Sequence, residues 1–141
     1  MQELIGKPYS VDTMYNIPLI MLTPSATSGR VFNQVGGEVD LMPTLANMLG
    51  ISLDNNIHFG QDLLNNQSNL LGQRYYLPFG SFLNDEIAFL PGMGIKDGTL
   101  VPLGTARNLS YQISYENDFN RASQLERMSD SYVESLPERK N

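Results

Sequence analysis

Residues 17–24 form the segment of this sequence that most constrains its fold. The run Ile-Pro-Leu-Ile-Met-Leu-Thr-Pro is apolar, has a proline near each end and is too short for a typical core helix. It predicts a buried strand, with Pro18 among the first positions, where a missing backbone donor does least harm. Because apolar and polar residues do not alternate in it, both faces of the strand need cover. This requirement favours an α/β fold, in which helices flank a sheet.

Residues 40–50 carry the sequence signals of a helix. Asp40 suits the N-cap position, Pro43 falls in the first turn, where a missing N–H costs nothing, and Gly50 suits the C′ position. Apolar residues recur along this segment at helical spacing, which predicts one buried helix face. The residues of that stripe are Leu41, Leu45, Met48 and Leu49.

The second half of the chain predicts a small antiparallel sheet and a long helix. Residues 51–72 are rich in Asn and in turn-forming residues, and we expect a surface loop there. Three β-prone segments follow at 75–79, 86–90 and 100–103, with residues 96–99 as a hairpin turn. From residue 115 to 136, apolar residues recur every three or four positions. This spacing predicts an amphipathic helix of about six turns, whose apolar stripe packs on the sheet.

Composition limits the kinds of function that the chain can have. Its 141 residues, 41% of them hydrophobic, can bury one ordinary core, as one compact domain or one domain with a small appendage. The net charge of −6 argues against a surface that neutralises nucleic-acid phosphates. The absence of cysteine excludes disulfides, thiolate metal sites and cysteine nucleophiles. No stretch has the roughly 18 consecutive apolar residues that a transmembrane helix needs.

His58, the only histidine, is the first candidate for a chemical role. With Asp54 and Asp62 it has a spacing that would align three metal ligands on one helix face. Asn55, Asn56 and Gly60 argue against a helix there, so we expect these side chains to diverge. We therefore interpret His58 as a loop histidine and the two aspartates as capping or solvated residues.

Other familiar catalytic motifs are incomplete. A Ser-His-Asp triad would have to use His58, and the sequence has no Gly-x-Ser-x-Gly elbow to present a serine. Two pairs of acidic residues, Asp85-Glu86 and Glu38/Asp40, could in principle act as a catalytic acid and base. The first pair lies at a predicted turn, and Asp40 is better explained as a helix cap. The glycines at 36–37 and 92–94 are too few for a phosphate-binding loop. The residues themselves thus predict no catalytic and no metal-binding site in this chain, and they leave substrate-binding residues open.

The order of motifs resembles one known family. The series is the apolar run at 17–24, then Gly-Glu-Val-Asp-Leu-Met-Pro-Thr-Leu at 37–45, Leu-Gly-Ile at 49–51 and Phe-Gly-Gln-Asp-Leu-Leu at 59–64. It resembles the carboxy-terminal third of the sulfatase domain of lipoteichoic acid synthases, which are phosphoglycerol transferases of the alkaline phosphatase superfamily. The portion Val-Asp-Leu-x-Pro-Thr-Leu at 39–45, with Leu-Gly-Ile at 49–51, is common to sulfatases in general. Narrower similarities to the synthases lie at 59–64, 78–82 and 125–130.

The resemblance implies a membrane-anchored parent enzyme whose extracellular domain transfers glycerol phosphate from phosphatidylglycerol to lipoteichoic acid. In that family a threonine nucleophile, a glutamate and an Asp-His pair surround one divalent ion, manganese or magnesium, and Arg, His and Trp side chains hold the substrate. All of them precede the strand at 17–24, so none is carried over to this sequence. The Asp-His pair is expected shortly before Met1, and Asn33 stands where relatives often have histidine.

We therefore expect a non-catalytic fragment of such a transferase, with the rest of the sulfatase domain as its partner and self-association when it is isolated. Residues 1–72 are expected to be a piece of the main α/β domain, at the edge of its sheet. Residues 73–141 are expected to be a small antiparallel sheet packed by the carboxy-terminal helix. Two alternatives stay open. One is a free-standing binding or regulatory module with part of a sulfatase fold, and the other is a fragment of a sulfatase or phosphoethanolamine transferase.

Overall fold

A computed structural model describes Gly6 and residues 16–24, 27–103 and 115–138. These described residues form two helices, a short 3-10 helix and a four-stranded sheet. In chain order these are the 3-10 helix Glu38–Asp40, α1 (Leu41–Met48), β1 (Leu70–Gly72), β2 (Phe82–Asn84), β3 (Ile87–Leu90), β4 (Thr99–Pro102) and α2 (Tyr115–Ser135). Neither helix of the described ranges has the length and apolar character needed to span a membrane.

The four strands form an antiparallel meander in the order β1-β2-β3-β4. Phe82 lies opposite Phe89, and Ile87 lies opposite Pro102 on the edge strand β4. Proline is tolerated on an edge strand because it lacks the N–H that a central strand would need. The positions of β3 and β4 confirm the strands predicted at 86–90 and 100–103, with shifts of one residue at their ends.

The turn between β3 and β4 lies at residues 96–97, as the sequence predicts. The Gly98 N–H donates to the carbonyl oxygen of Ile95 at 3.3 Å. The Asp97 carboxylate accepts hydrogen bonds from the N–H groups of Met93 at 2.9 Å and Gly94 at 2.7 Å. These two bonds favour the charged carboxylate and so lower the pKa of Asp97.

Both faces of the sheet contribute to the core because successive strand residues point to opposite sides. One face packs against α2 through Phe82, Ile87 and Phe89, which meet Ala122 of the helix. The other face buries a second cluster of Leu71, Leu83 and Ala88, with Val35, Val101 and Leu103 packed around it. The loop before α1 therefore helps to cover the sheet face that lies opposite α2.

Helix α2 confirms the prediction for residues 115–136, but its apolar stripe is only partly buried. Tyr115 and Phe119 pack on the sheet, with ring centroids 5.1 and 6.1 Å from that of Phe89. Further along the helix Met128 and Val133 are exposed. The expectation that the whole stripe packs on the sheet is therefore wrong for the second half of α2, because the small sheet is shorter than the helix.

Helix α1 confirms its predicted bounds, but it buries the opposite face from the one we expected. Gly50 has φ 67°, which fits its predicted place just after the helix end. The buried residues of α1 are Pro43, Thr44 and Ala46. The predicted apolar stripe is largely exposed instead, with Leu45 46% and Leu49 72% exposed. This part of the prediction is wrong because the described chain packs nothing against the stripe.

Three further expectations need correction. Residues 17–24 form no strand within the described structure and are exposed, Ile17 at 79% and Leu22 at 92%. The region 51–72 is not only surface loop, since it ends in β1. Residues 75–79 form turns and no strand, with Tyr76 at φ 57°, and β2 lies just after them. The division between residues 72 and 73 stays a prediction.

Candidate functional site

Asp40 is a buried acidic residue, 1% exposed, whose side chain accepts three hydrogen bonds. Its Oδ2 accepts hydrogen bonds from the Gly37 N–H at 2.9 Å and from the Asn69 side-chain amide at 2.7 Å. Its Oδ1 accepts one from the Gln61 N–H at 2.8 Å. We call Asp40, Gly37, Gln61 and Asn69 the Asp40 node. It ties the start of α1 to two loops that are distant in the sequence.

Neighbouring hydrogen bonds extend the Asp40 node toward the sheet. The Thr44 hydroxyl, fully buried, donates to the Asp40 carbonyl oxygen at 2.6 Å and accepts from the Leu63 N–H at 3.0 Å. Asp85, in the turn after β2, accepts from the N–H groups of Val35 at 2.6 Å and Asn69 at 3.1 Å. These groups bond mainly to backbone within the chain, so the arrangement holds loops in place and offers no activated nucleophile.

Gly60 allows two backbone segments of this region to approach closely. A Cβ atom at Gly60 would lie 2.0 Å from the carbonyl oxygen of Val39 and 2.7 Å from the backbone nitrogen of Asp40. Both neighbours are backbone atoms next to the Asp40 node, so neither can move aside as a flexible side chain would. Only glycine fits this contact without displacing the start of α1.

We expect Gly60→Ala to lower the free energy of unfolding by about 2–3 kcal/mol, because the added methyl group forces the backbone apart. Gly29→Ala is a matched control, since a Cβ there meets no atom within 4 Å. Urea unfolding followed by far-UV circular dichroism measures both. Equal stabilities of the two variants would contradict the close approach at Gly60.

Glu126 is a second buried acidic residue, 7% exposed, on the face of α2 that meets β1 and β2. Its Oε2 accepts a hydrogen bond from the Gly80 N–H at 3.1 Å. Its Oε1 and the buried Ser123 hydroxyl have no hydrogen-bond partner among the described residues. Burial raises the pKa of Glu126, Asp130 adds to this rise, and the Gly80 bond and Arg74 oppose it. The folded structure therefore disfavours the charged form of Glu126.

This raised pKa makes stability depend on pH. The folded chain holds the Glu126 proton more tightly than the unfolded chain, so the free energy of unfolding falls as pH rises from about 4.5 through the raised pKa. Glu126→Gln removes this titration and keeps an oxygen that accepts from the Gly80 N–H. We expect the variant to show a flatter pH dependence and to be at least as stable as the parent sequence near pH 7.

Urea unfolding between about pH 4 and pH 8 tests the effect of Glu126→Gln. Glu134→Gln, at an exposed position on the same helix, controls for the loss of one carboxyl group. Identical slopes of unfolding free energy against pH in the Glu126→Gln variant and the parent sequence would show that the buried carboxyl group does not govern this range.

The candidate residues from the sequence make only local contacts. His58 is exposed, and its Nδ1 lies 2.9 Å from the Gly60 carbonyl oxygen. The Asp54 side chain bonds to Ser52, and the Asp62 side chain bonds to the Leu64 N–H and to Asn65. Among the residues that the structure describes, no three His, Asp or Glu side chains form a group able to hold a metal ion.

Sequence reasoning missed the residues that organise these contacts. Asp40 was explained by its predicted place as N-cap of α1, yet its side chain makes no cap hydrogen bond to α1 and bonds to the Asp40 node instead. Asn69 and Gly60 lie in a segment that we expected to be surface loop. The acidic residue Glu126 interrupts an apolar helix face, and that interruption was the one signal in the sequence that could have indicated a buried carboxyl group.

Comparison with curated proteins identifies relatives of this chain. No family model matches the sequence. The "Lipoteichoic acid synthase-like YvgJ" of Bacillus subtilis (strain 168) is 30% identical over 95 residues, which cover 63% of this chain and 15% of the relative. "Lipoteichoic acid synthase 1" of the same organism is 38% identical over 66 residues, which cover 45% of this chain and 10% of the relative.

A solved structure supports the same relationship. The crystal structure of the lipoteichoic acid synthase LtaP from Listeria monocytogenes matches with a TM-score of 0.72 and 35% sequence identity, over 83% of this chain and 28% of the LtaP chain. The mixed α/β fold class and the family resemblance are thereby confirmed. The chain spans less than a third of the length of each of these relatives. Its homologues are lipoteichoic acid synthases, and the similarity covers one part of each of them.

Proposed function

We propose that this chain is the non-catalytic carboxy-terminal part of an extracellular, metal-dependent phosphoglycerol transferase. The parent enzyme would polymerise glycerol phosphate from phosphatidylglycerol into lipoteichoic acid, at the outer face of the membrane that anchors it. The observation that carries this proposal is the similarity to three lipoteichoic acid synthases, each of which extends well beyond the matched part.

The divalent cation of this proposal, manganese or magnesium, would be bound by the remainder of the parent enzyme. Phosphoryl transfer at such an ion needs hard oxygen or imidazole ligands that converge on one point. The described part of this chain does not fit that requirement, since His58 contacts the Gly60 carbonyl oxygen and no acidic cluster surrounds it. We assign the chain no step that passes through the metal.

The contribution that we propose for the chain is structural. The Asp40 node and the Thr44 hydroxyl fix α1 against the loops at 60–63 and 69, so that α1 is held at a defined position. The aromatic contacts of Phe89 fix α2 on the small sheet. A rigid support of this kind keeps a neighbouring active site in its productive geometry.

The isolated chain is expected to self-associate through the exposed apolar residues at 17–22. These side chains have no cover in the described structure, and apolar patches of this kind favour association in water. Static light scattering over a concentration series should show an apparent mass that rises with concentration. A strict monomer at high concentration would contradict this expectation.

A hybrid protein tests the proposed function. In it, this chain replaces the matching part of Listeria LtaP, and the LtaP protein lacking that part serves as the control. We expect the hybrid to regain lipoteichoic acid synthase activity and the truncated control to have none. A correctly folded hybrid without synthase activity would overturn the proposal, and it would favour a separate binding or regulatory role.

A further inference from the structure

The two long turns of the sheet lie at the same end of it. In an antiparallel meander every second connection returns to the same end, so the β1–β2 turn at 73–81 and the β3–β4 turn at 91–98 are neighbours. Their centres are two strand spacings apart, roughly 10 Å. The short β2–β3 turn at 85–86 lies at the opposite end of the sheet.

The two long turns expose large apolar side chains to water. In the β1–β2 turn Tyr75 is 78%, Tyr76 89% and Phe79 40% exposed, and Met93 in the β3–β4 turn is fully exposed. We call these four residues the turn rim. The rings of Tyr75 and Tyr76 meet edge to face, with 4.3 Å between their centroids. Apolar side chains gathered in this way at one end of a domain indicate an interaction surface.

The β1–β2 turn is held in a defined conformation. The Gly80 N–H donates to Oε2 of the buried Glu126 at 3.1 Å, and the Ser81 N–H and hydroxyl both donate to the Pro78 carbonyl oxygen, at 3.1 and 2.7 Å. Tyr76 has φ 57°, a conformation that a bulky residue rarely adopts. Strained backbone that presents a large aromatic side chain to water is a feature of functional surfaces.

Charge distinguishes this end of the sheet from the opposite end. Arg74 pairs with Asp130, and the Cζ atom of Arg127 lies 5.6 Å from the centroid of the Phe79 ring. Residues 85–86 of the opposite turn are both acidic and exposed. A chain with a net charge of −6 therefore meets less repulsion at an anionic surface when its turn rim approaches first.

Charges in the β3–β4 turn are also balanced. The Asp97 carboxylate is bonded to two backbone N–H groups of its own turn. Lys96 and Glu116 line the same small pocket, so their charges offset each other. The end of the sheet that carries the turn rim is therefore apolar and close to neutral.

We propose that the turn rim inserts into the interfacial layer of a lipid bilayer, with the tyrosine rings at the level of the headgroups. This inference rests on the proposed function, in which the parent enzyme works at a membrane. Tyrosine suits this layer because its ring is apolar and its hydroxyl stays hydrated. Arg127 can cover apolar surface with its aliphatic stem and keep its guanidinium at the lipid phosphates.

A single tryptophan reports directly on insertion, because the chain has none of its own. Tyr75→Trp places the reporter in the turn rim, and Glu86→Trp places it in the turn at the opposite end as a control. Both variants are mixed with vesicles of equimolar phosphatidylcholine and phosphatidylglycerol. We expect the emission from position 75 to shift to shorter wavelength and to become protected from aqueous iodide, and the emission from position 86 to do neither.

Removal of the turn rim should weaken vesicle binding. Tyr75→Ser, Tyr76→Asn and Met93→Ser together remove its apolar surface, and asparagine tolerates the φ angle at position 76. We expect the affinity for these vesicles, measured by cosedimentation, to fall about tenfold or more. All proteins in this comparison also carry Ile20→Thr and Leu22→Thr, so that binding through the exposed run at 17–22 does not contribute.

A matched control removes exposed apolar surface from another part of the chain. Met42→Gln, Leu45→Gln and Leu49→Gln change three exposed residues in and just after α1, and glutamine keeps the helix propensity nearly unchanged. This triple variant should bind the vesicles as tightly as its parent. Equal losses of affinity in the two triple variants would overturn the inference, because binding would then follow apolar surface in general.

The same reporter in the LtaP hybrid separates a membrane from a protein partner. A shift that appears only when vesicles are added supports the turn rim, even if the hybrid lacks synthase activity. An emission already at short wavelength without vesicles, and unchanged by them, would show that the remainder of the parent enzyme covers the rim, and would overturn the inference. An active hybrid whose reporter at position 75 stays in water with vesicles would also overturn it and would leave the proposed function intact.

Discussion

Asp40→Ala is expected to lower the free energy of unfolding by about 3–5 kcal/mol, the largest effect of any polar substitution in the described chain. The alanine removes the acceptor of three hydrogen bonds, from the N–H groups of Gly37 and Gln61 and from the Asn69 side chain. The partly buried N–H groups of Gly37 and Gln61 would lose this acceptor, and the Asn69 side-chain amide would keep only its bond to the Val35 carbonyl oxygen. Urea unfolding at low protein concentration, followed by circular dichroism, gives the change.

Two further variants make the test of the Asp40 node specific. Asp40→Asn keeps one acceptor oxygen but directs an NH₂ group toward donors, so we expect a loss of about 2–3 kcal/mol. Asp54→Ala is the matched control, because the Asp54 side chain is exposed and bonds only to the nearby Ser52. An Asp40→Ala variant that unfolds within about 1 kcal/mol of the parent sequence would show that the Asp40 node does not hold the loops together.

Phe89→Ala is expected to lower the free energy of unfolding by about 3–5 kcal/mol, through loss of apolar burial and the cavity that remains. Phe89 is 1% exposed. Its ring centroid lies 5.3 Å from that of Phe82, 5.1 Å from that of Tyr115 and 6.1 Å from that of Phe119. The substitution therefore weakens the sheet and detaches the first turns of α2 together.

Amide hydrogen exchange locates the effect of Phe89→Ala. We expect faster exchange in α2 and in β3, and little change around α1, since the contacts of Phe89 lie on the sheet face toward α2. Tyr76→Ala, at an exposed aromatic position in a turn, is the control for the loss of a ring. A loss below about 1 kcal/mol for Phe89→Ala, or equal losses in the two variants, would contradict this view of the core.

Both helices were predictable from the sequence because their signals are local. Asp40 and Gly50 mark the two ends of α1, and the spacing of apolar residues marks α2 over more than five turns. The β3–β4 hairpin was predictable for a similar reason, since its turn residues are adjacent in the sequence. Strands β1 and β2, with three residues each, are too short to give a pattern of their own.

Burial was harder to predict because it depends on what packs against a surface. The run at 17–24 has the composition of a buried element, yet it is exposed in the described chain. The same holds for Met42, Leu45, Met48 and Leu49 in and just after α1. The Asp40 node was missed for another reason. Its partners come from loops that are 3, 21 and 29 residues away in the sequence, and no periodic pattern marks such contacts.

We propose that this chain supplies structure to a synthase and that the residues of phosphoryl transfer lie in the remainder of the parent enzyme. The most direct test is to incubate the purified chain with a chromogenic phosphodiester and with phosphatidylglycerol, in the presence and absence of manganese. Only the background rate of the uncatalysed reaction is expected under every condition. Turnover that depends on manganese, saturates with substrate and copurifies with this chain would contradict the claim.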